Sequence, residues 1–322
     1  MKVVLFDPRD RFAELDKALQ AFPDMSLARA RDQAALGAAL PQAEILIASN
    51  RIYTPEPAAI IRQHGRALRW IQFSTSGIDK AVASGLPSGV MVTNAAGLRA
   101  FAVAEHAFAL MLGLVRQIGA TERVRRDEVW ARDALAPSMD NLSGKHLVLV
   151  GLGAIGQEIA RRAKAFDMQV TGISRASGPM ANIDRIRPRG ELQAAAAEAD
   201  IILLSVIYDE STDKILSRAV IDAMKPTAYV VNIARGQLVD EPALIEALRD
   251  GKIAGAGLDV TATEPLPAGH PFWAMPNVLL TPHVGGAGST DDGAAFLKIF
   301  LENLRRWLRK EPLRNVVIER TA

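Results

Sequence analysis

The sequence predicts an α/β fold made of two doubly wound parallel-sheet domains. Short β-rich segments alternate with longer helix-like segments, which is the pattern of parallel sheets covered by helices on both faces. The 322 residues are enough for two hydrophobic cores of ordinary size. A glycine-rich turn near residue 150, placed between a strand-like and a helix-like segment, marks one of the two domains as a dinucleotide-binding domain.

Nine short apolar segments are predicted as strands. They are Val3–Phe6, Ile45–Ala48, Trp70–Phe73, His146–Val150, Gln169–Ile173, Ile201–Val206, Tyr229–Ile233, Gly255–Val260 and Val278–Leu280. The longest apolar stretch, Ala100–Val115, predicts a helix that is too short to span a membrane and, with Glu105 and His106 inside it, too polar. Residues 132–145 carry Pro, Ser, Asn and Gly and predict an exposed loop before a new βαβ unit.

Composition and charge exclude several classes of function. A formal charge of +2 predicts no binding to nucleic acid and none to a membrane surface. The chain has 0 cysteines, which excludes disulfides, thiolate metal sites and cysteine nucleophiles and suits a reducing cytoplasm. The first ten residues, "MKVVLFDPRD", become charged after four apolar residues, so they predict a strand and no signal peptide. We therefore expect a cytoplasmic enzyme or binding protein that acts on small molecules.

The clearest motif is the segment "HLVLVGLGAIGQEIARRAKAF". It places Gly151, Gly153 and Gly156 between a strand and a helix, as a dinucleotide-binding turn requires. The first glycine permits the tight turn, the second lets the backbone approach the pyrophosphate, and the third allows helix and strand to pack closely. Ala154 and Ile155 open the helix, whose free N–H groups face the phosphates. Such glycines also serve packing alone, but the strand-to-helix context favours a cofactor site.

The end of the next strand favours NADP over NAD. NAD-specific sites have an Asp or Glu about 20 residues beyond the glycines to bind the ribose hydroxyls. Here the strand ends in Ser174 and Arg175, whereas Asp167 comes before the strand and Asp184 well after it. A guanidinium pairs with a 2′-phosphate, which a carboxylate would repel. The alternative is that Arg175 is a solvated loop residue and that the site accepts either cofactor.

Three polar residues follow predicted strands of the second half of the chain. Arg235 follows "YVVNIA", Glu264 follows "GAGLDVTAT", and His283 follows "NVLLTP". Ligands of open α/β sheets bind beyond the carboxyl ends of the strands, so we expect these side chains to converge there. The arginine suits an anionic substrate, the histidine transfers protons near neutral pH, and the glutamate stabilises the imidazolium. Gly236 is expected to let the chain turn away after the arginine.

Each of these residues also has a structural interpretation when it is taken alone. The arginine is then a surface ion-pair partner, the glutamate shapes a turn, and the histidine is a packed loop residue. The other histidines are weaker candidates: His64 and His146 occupy loop or strand-start positions, His270 precedes a proline, and His106 lies in an apolar helix. None pairs with another at a spacing typical of metal ligands, so no metal site is predicted.

At these motifs the sequence resembles the D-isomer-specific 2-hydroxyacid dehydrogenases over nearly its whole length. The matching segments are "WIQFSTSGIDK", "VTNAAGLRAFAVAEHAFALML", "LVLVGLGAIGQEIARRAKAF", "VVNIARGQLVDEPALIEAL", "IAGAGLDVTATEPLP" and "NVLLTPHVGG". The resemblance implies a Rossmann cofactor domain, residues 96–286, inserted into a flavodoxin-like substrate domain formed by residues 1–95 and 287–322. It also implies a homodimer to which the helix around Ala100–Val115 contributes.

The resemblance further implies roles for individual residues. Arg235 would bind the carboxylate and keto oxygen of the substrate, Glu264 would support the histidine, and His283 would be the acid/base. Backbone groups of Ser76 and Gly77 would hold the substrate carboxylate. The positions that match the family's cofactor contacts are Val103, Ile233, Ala234, Asp259 and Gly285.

Departures from other branches narrow the expected activity. The formate-oxidising branch has Gln where Glu264 stands, and many phosphoglycerate dehydrogenases carry a C-terminal regulatory domain for which this chain leaves no room. With Arg175 at the end of the second strand, the sequence resembles the NADPH-preferring glyoxylate and hydroxypyruvate reductases. This resemblance makes small 2-keto acids the leading substrates. The segment "ASNRIYTPE" lies where the family reads the substrate side chain, so Asn50, Arg51 and Tyr53 are candidates for selecting it. For Arg51 a solvated position is the alternative.

Two other hypotheses remain open. One is oxidation of a D-2-hydroxy acid with NAD, as in phosphoglycerate dehydrogenases. The other, from a different class, is a non-catalytic NAD(P)-sensing binding protein, as the family's transcriptional corepressors suggest. The presence of Arg235, Glu264 and His283 together argues against lost catalysis.

Overall fold

The computed structural model describes residues 1–9, 12–176, 178–288 and 292–319. The chain divides into two compact units, Met1–Leu98 with Ser289–Ala322, and Arg99–Gly288. The division predicted from the sequence, after residues 95 and 286, lies two or three residues from these bounds. Arg99 marks the first boundary in the structure because it precedes the first helix of the second unit, Ala100–Val115.

The first unit contains a six-stranded sheet in the order β13-β5-β4-β3-β1-β2. Its strands are β1 Lys2–Phe6, β2 Ser26–Ala30, β3 Ala43–Ala48, β4 Trp70–Phe73, β5 Met91–Thr93 and β13 Val316–Ile318. Its helices are α1 Leu15–Leu19, α2 Gln33–Ala39, α3 Pro55–His64, α4 Asp79–Ser84 and α12 Asp292–Leu308. All neighbouring strands are parallel except β13, which pairs antiparallel with β5 at the edge.

Helices cover both faces of this sheet because its strands are apolar on both sides. Along β1, Val4 and Phe6 pack into one core with α2 and α3, whereas Val3 and Leu5 pack into the other with α1 and α12. This alternation is the two-residue period of a strand. In the second core, Trp70 stacks on the rings of Phe300 and Trp307, at centroid distances of 5.5 and 5.7 Å. The C-terminal helix α12 thus completes the core of the unit that the N-terminal strands begin.

The second unit contains a seven-stranded, fully parallel sheet in the order β12-β11-β10-β9-β6-β7-β8. Its strands are β6 His146–Val150, β7 Gln169–Ile173, β8 Arg185–Arg187, β9 Ile201–Leu204, β10 Tyr229–Asn232, β11 Gly255–Leu258 and β12 Val278–Leu280. Its helices are α5 Ala100–Val115, α6 Ile118–Arg126, α7 Arg132–Leu135, α8 Ala154–Ala165, α9 Leu192–Glu198, α10 Arg218–Asp222 and α11 Glu241–Arg249. One face packs on α5 and α8, and the other on α9, α10 and α11.

The predicted fold class, two doubly wound α/β domains, is confirmed, and all nine predicted strands are present. Four further strands were not predicted: β2, β5, β8 and β13. The first sheet is also mixed and not purely parallel, because the antiparallel β13 borders it. The predicted loop over residues 132–145 was wrong in part, since α7 and a 3₁₀ turn at Ala136–Ser138 occupy its first half.

In the described part of the chain, no single helix is long and apolar enough to cross a bilayer. The α5 and α6 helices reach the required length and composition only together, and they are bent by 64° relative to each other.

Candidate active site

The three polar residues predicted to converge all follow adjacent strands of the second sheet. In the strand register Asn232 lies beside Leu258, and Leu258 lies beside Leu280, so β10, β11 and β12 end level with one another. Arg235, Glu264 and His283 come directly after these ends. The parallel sheet therefore brings three segments that are distant in sequence to one edge, as predicted.

His283 and Glu264 form a direct pair. The Nδ1 atom of His283 lies 2.7 Å from the Oε2 atom of Glu264, and the two side chains are 44% and 37% exposed. The other carboxylate oxygen of Glu264, Oε1, accepts from the backbone N–H of Thr261 at 3.3 Å, which orients the carboxylate. Because Nδ1 is engaged by the carboxylate, the Nε2 atom is the one left to exchange a proton with a bound molecule.

Arg235 lies on a loop that touches the glutamate-bearing loop. Asn232 donates to the Arg235 carbonyl at 2.8 Å, and the guanidinium donates to the Ala234 carbonyl at 2.7 Å, so both backbone and side chain are held locally. A Cβ atom added to Gly236 would lie 1.9 Å from the carbonyl carbon of Thr261. Gly236 is thus required by close backbone approach. It also begins the 3₁₀ turn Gly236–Leu238, so the chain does turn there, without a positive φ.

A second contact between these two loops has no signal in the sequence. Glu241, in the first turn of α11, accepts from the Ala262 N–H at 3.0 Å, and its other oxygen lies 3.3 Å from Nε2 of His270. Both side chains are 17% exposed. In the sequence, His270 is notable only because it precedes a proline. In the structure it helps connect the helix that follows Arg235 to the loop that carries Glu264.

Asp259 lies at the end of β11 and binds the loop that carries His283. Its carboxylate is 3% exposed and accepts from the Thr281 hydroxyl at 2.6 Å, from Val284 N–H at 2.9 Å and from Gly285 N–H at 2.8 Å. Asp259 and Gly285 were both expected next to the cofactor. In the structure they contact each other, and the aspartate fixes the loop on which the glycine lies.

The glycine turn has the shape that a dinucleotide requires. Gly151 has a φ of +99°, and a Cβ there would lie 2.8 Å from the Ser205 backbone. At Gly156 a Cβ would lie 2.2 Å from the Gly151 carbonyl oxygen, so this glycine lets α8 pack against the turn. At Gly153 nothing lies within 4 Å of an added Cβ. Gly153 precedes Ala154 and Ile155, where α8 begins without a side-chain cap, so open space faces free N–H groups. These residues fit a dinucleotide phosphate.

The end of β7 carries no acidic residue in position for a ribose. The Ser174 hydroxyl accepts from the Ala176 N–H at 3.0 Å, and Arg175 is exposed. Asp184, the next carboxylate along the chain, is 2.9 Å from the Lys164 ammonium and accepts from Val170 N–H at 2.7 Å. The Lys164 hydrogen bond holds the pKa of Asp184 below its usual value, which marks it as a structural ion-pair partner.

The remaining cofactor candidates lie at the same end of the second unit. Ile233 is 7% exposed, and Ala234 is partly buried, with its N–H bonded to Asn232 Oδ1 at 3.0 Å. Val103 is partly buried on α5 beside the core that Ile233 joins.

In the first unit, the loop after β4 presents free backbone N–H groups. The carbonyls of Ser76 and Gly77 accept from Asn94 at 2.5 Å and from the Thr75 hydroxyl at 2.9 Å, and the Ser76 hydroxyl donates to Ala95. Their N–H groups donate to no other residue in the ranges that the structure describes. Two adjacent unbonded N–H groups are suited to a carboxylate.

The three candidates on the loop after β3 differ in their exposure to solvent and in their contacts. Asn50 is 7% exposed, and its side-chain oxygen accepts from Ala81 N–H at 2.9 Å, so it connects this loop to α4. Arg51 is exposed and lines an open cavity of about 690 Å³ at the carboxyl ends of β1, β2 and β3. Tyr53 is fully buried against Phe73 in the unit's core. Arg51 is therefore the candidate of the three with a side chain available to a ligand.

A substitution tests the assignment of Tyr53 to the core and not to the substrate site. Its hydroxyl is buried without a partner among the described residues, and this burial raises its pKa to about 12. Removing an unsatisfied buried hydroxyl relieves a desolvation cost of about 1–3 kcal/mol. We expect Tyr53→Phe to increase resistance to urea and to leave substrate KM unchanged. Tyr208→Phe, whose exposed hydroxyl is 3.3 Å from Asp213, is the control and should change little. Reduced stability of Tyr53→Phe would contradict the assignment.

Comparison with known proteins shows which family the chain is similar to. Residues 108–285 match the family model described as the NAD binding domain of D-isomer specific 2-hydroxyacid dehydrogenase. A glyoxylate reductase from Pyrococcus furiosus is 38% identical over 228 residues, which cover 69% of this chain and 67% of the relative. A family member from Aeromonas salmonicida has a crystal structure that superposes with a TM-score of 0.84 at 28% identity, covering 98% of each chain. A Xanthobacter autotrophicus enzyme, solved in complex with NADPH, has a TM-score of 0.79 at 26% identity over 98% of each chain.

Proposed function

Because this chain belongs to the D-isomer-specific 2-hydroxyacid dehydrogenase family, we propose that it reduces a small 2-keto acid to the D-2-hydroxy acid with NADPH. Glyoxylate and hydroxypyruvate are the leading substrates. The observation that carries the proposal is the His283–Glu264 pair, at 2.7 Å, on the sheet edge that also holds Arg235. The similar glyoxylate reductase supports the substrate class.

In this proposal the chain's own residues bind the keto acid and move one proton. The guanidinium of Arg235 binds the substrate carboxylate and polarises the keto oxygen, since its planar fork matches two oxygens at once. In the first unit, the unbonded N–H groups of Ser76 and Gly77 are proposed as a binding site for a carboxylate. His283 donates the proton on Nε2 to the oxygen of the former carbonyl, and Glu264 stabilises the imidazolium through Nδ1. The nicotinamide, when bound, supplies the hydride for the carbonyl carbon.

The glycine turn and the end of β7 are proposed to hold the cofactor. Gly151, Gly153 and Gly156 with the first residues of α8 bind the pyrophosphate, and Ser174 with Arg175 binds the 2′-phosphate of NADPH. The second part is supported by the absence of a carboxylate at the end of β7 and by the pairing of Asp184 with Lys164. The NADPH complex of the Xanthobacter autotrophicus enzyme is consistent with it.

Substitution of Arg175 tests the cofactor preference. A hydrogen bond to a charged group contributes about 1.5–3 kcal/mol, which is about 10-fold to 100-fold in affinity. We expect Arg175→Ala to lower kcat/KM for NADPH by that factor and to change kcat/KM for NADH little. Arg161→Ala is the matched control, because Arg161 is exposed on α8 and pairs with Glu158. Equal loss with both cofactors, or a wild-type preference for NADH, would refute the NADPH proposal.

We also propose that the protein forms a homodimer through the region that follows α5. Helix α6 has no buried residue, and Ile118, Val129 and Trp130 are 53%, 55% and 94% exposed. Large exposed apolar side chains grouped in one segment are typical of subunit interfaces. A molar mass in solution equal to one chain would refute this.

Oxidation of NADPH and of NADH with a panel of 2-keto acids tests the proposed activity. We expect turnover with small 2-keto acids and faster turnover with NADPH. Binding of the cofactor without turnover of any keto acid would favour the non-catalytic sensing protein, and activity only in the oxidative direction with NAD would favour a phosphoglycerate-dehydrogenase-like enzyme.

A further inference from the structure

A histidine outside the proposed catalytic group contacts the loop that carries His283. His106 lies on α5, and its Nε2 atom is 2.9 Å from the Thr281 hydroxyl oxygen and 3.3 Å from the Oδ1 atom of Asp259. The Thr281 hydroxyl uses its one hydrogen to donate to Asp259 at 2.6 Å. It therefore accepts from His106, which places the proton of the neutral imidazole on Nε2. The three side chains form a directed chain of hydrogen bonds from helix to loop.

The loop needs such support because its backbone is strained at His283. The φ of His283 is +53°, in the left-handed region that a residue with a side chain adopts at a cost. Its N–H lies 2.8 Å from the Asp259 carbonyl and 3.0 Å from the Thr281 carbonyl, and the next two N–H groups donate to the Asp259 carboxylate. Asp259 and Thr281, the two residues that His106 contacts, are the ones that hold this conformation.

Helix and loop are also in close van der Waals contact. A Cβ added to Gly285 would lie 2.8 Å from Asp259 Oδ2 and 3.1 Å from the His106 ring. A Cβ added to Gly286 would lie 3.1 Å from the Arg99 side chain, at the start of the same helix. Among the described residues, the charged and titratable groups found next to the loop are Asp259 and Glu264, which follow β11, His106 on α5, and Arg99 just before α5.

We infer that His106 is a positioning residue, which acts through Thr281 and Asp259 to hold the loop of residues 281–285 so that His283 stays against Glu264. The inference rests on the proposed function in one respect, namely that His283 is the acid/base. His106 is partly buried, and the sequence pattern associates it only with an apolar helix. The directed hydrogen bonds, and not the volume of the ring, are the part of His106 that the loop requires.

Three variants and one control separate this role from simple packing. His106→Leu fills the space without a donor, His106→Gln restores a donor, and Thr281→Val removes the hydroxyl that joins helix to loop. His146→Leu is the control, because its Nε2 atom also lies 2.8 Å from a threonine hydroxyl, that of Thr171, but at the start of β6. Net hydrogen-bond contributions predict that His106→Leu and Thr281→Val each lower kcat by about threefold to tenfold. We expect His106→Gln to recover most of the loss.

A second measurement reports on His283 directly and does not depend on enzyme turnover. The ring proton of His283, assigned by its disappearance in His283→Asn, is followed by NMR over a pH titration. We expect its chemical shift and titration midpoint to change in His106→Leu and in Thr281→Val, and to match wild type in His146→Leu. Folded His106→Leu or Thr281→Val protein whose His283 resonance titrates as in the control would overturn the inference. Failure of the proposed function would appear separately, as a wild-type protein that reduces no keto acid.

Discussion

His283→Asn is expected to lower kcat for 2-keto acid reduction about 10²–10⁴-fold while cofactor binding remains intact. This corresponds to about 3–5 kcal/mol of lost transition-state stabilisation. Asparagine tolerates the left-handed backbone of this position, and its amide can still donate to Glu264, so the loop is preserved. What is lost is the Nε2 proton that the substrate oxygen receives.

The measurement is steady-state kcat together with the dissociation constant of NADPH from fluorescence. His64→Asn, at the end of α3 in the first unit, is the control and should keep full activity. A kcat for His283→Asn near that of the wild type would show that another group supplies the proton.

Arg235→Ala is expected to lower kcat/KM for the keto acid by about 10²–10⁴-fold, mostly through KM. Two hydrogen bonds from a guanidinium to charged oxygens contribute about 1.5–3 kcal/mol each, and each 1.4 kcal/mol is about tenfold. Arg235→Lys should recover part of the loss, because it keeps the charge without the planar fork. The affinity for NADPH should change little.

The control for this substitution is Arg218→Ala, which removes an exposed arginine paired with Glu246 on the same unit. Thermal unfolding of all variants checks the fold, since the Arg235 guanidinium also bonds to the Ala234 carbonyl. Unchanged KM and kcat in Arg235→Ala would exclude Arg235 from substrate binding.

The grouping of residues at the carboxyl ends of β10, β11 and β12 was predictable, because neighbouring parallel strands run in the same direction. Apolar segments define β10, β11 and β12, and parallel pairing brings their carboxyl ends level, so residues that follow them must be neighbours. Four strands were not predicted, because their local sequence gives little indication of a strand. β5, β8 and β13 have three residues each, and β2, with the sequence SLARA, has no β-branched residue. Their conformation depends on the partner strand more than on local sequence.

Contacts between distant segments account for what the sequence could not show at the site. His106 and Thr281 are separated by 175 residues, and nothing in an apolar helix indicates a hydrogen bond to a loop so far along the chain. The sequence predicts a turn at Gly236 but not the close approach of its backbone to Thr261, because that contact depends on how two loops pack. Tyr53 was a candidate for substrate selection, but its ring completes the core of the first unit.

The stereochemistry of the product tests the proposed activity most directly. The protein is incubated with NADPH and hydroxypyruvate, or with the most rapidly reduced keto acid that has a chiral product, and the enantiomers of the hydroxy acid are resolved. We expect the D-hydroxy acid alone, with formation that depends on His283. Formation of the L-enantiomer, or of no hydroxy acid from any 2-keto acid tested, would contradict it.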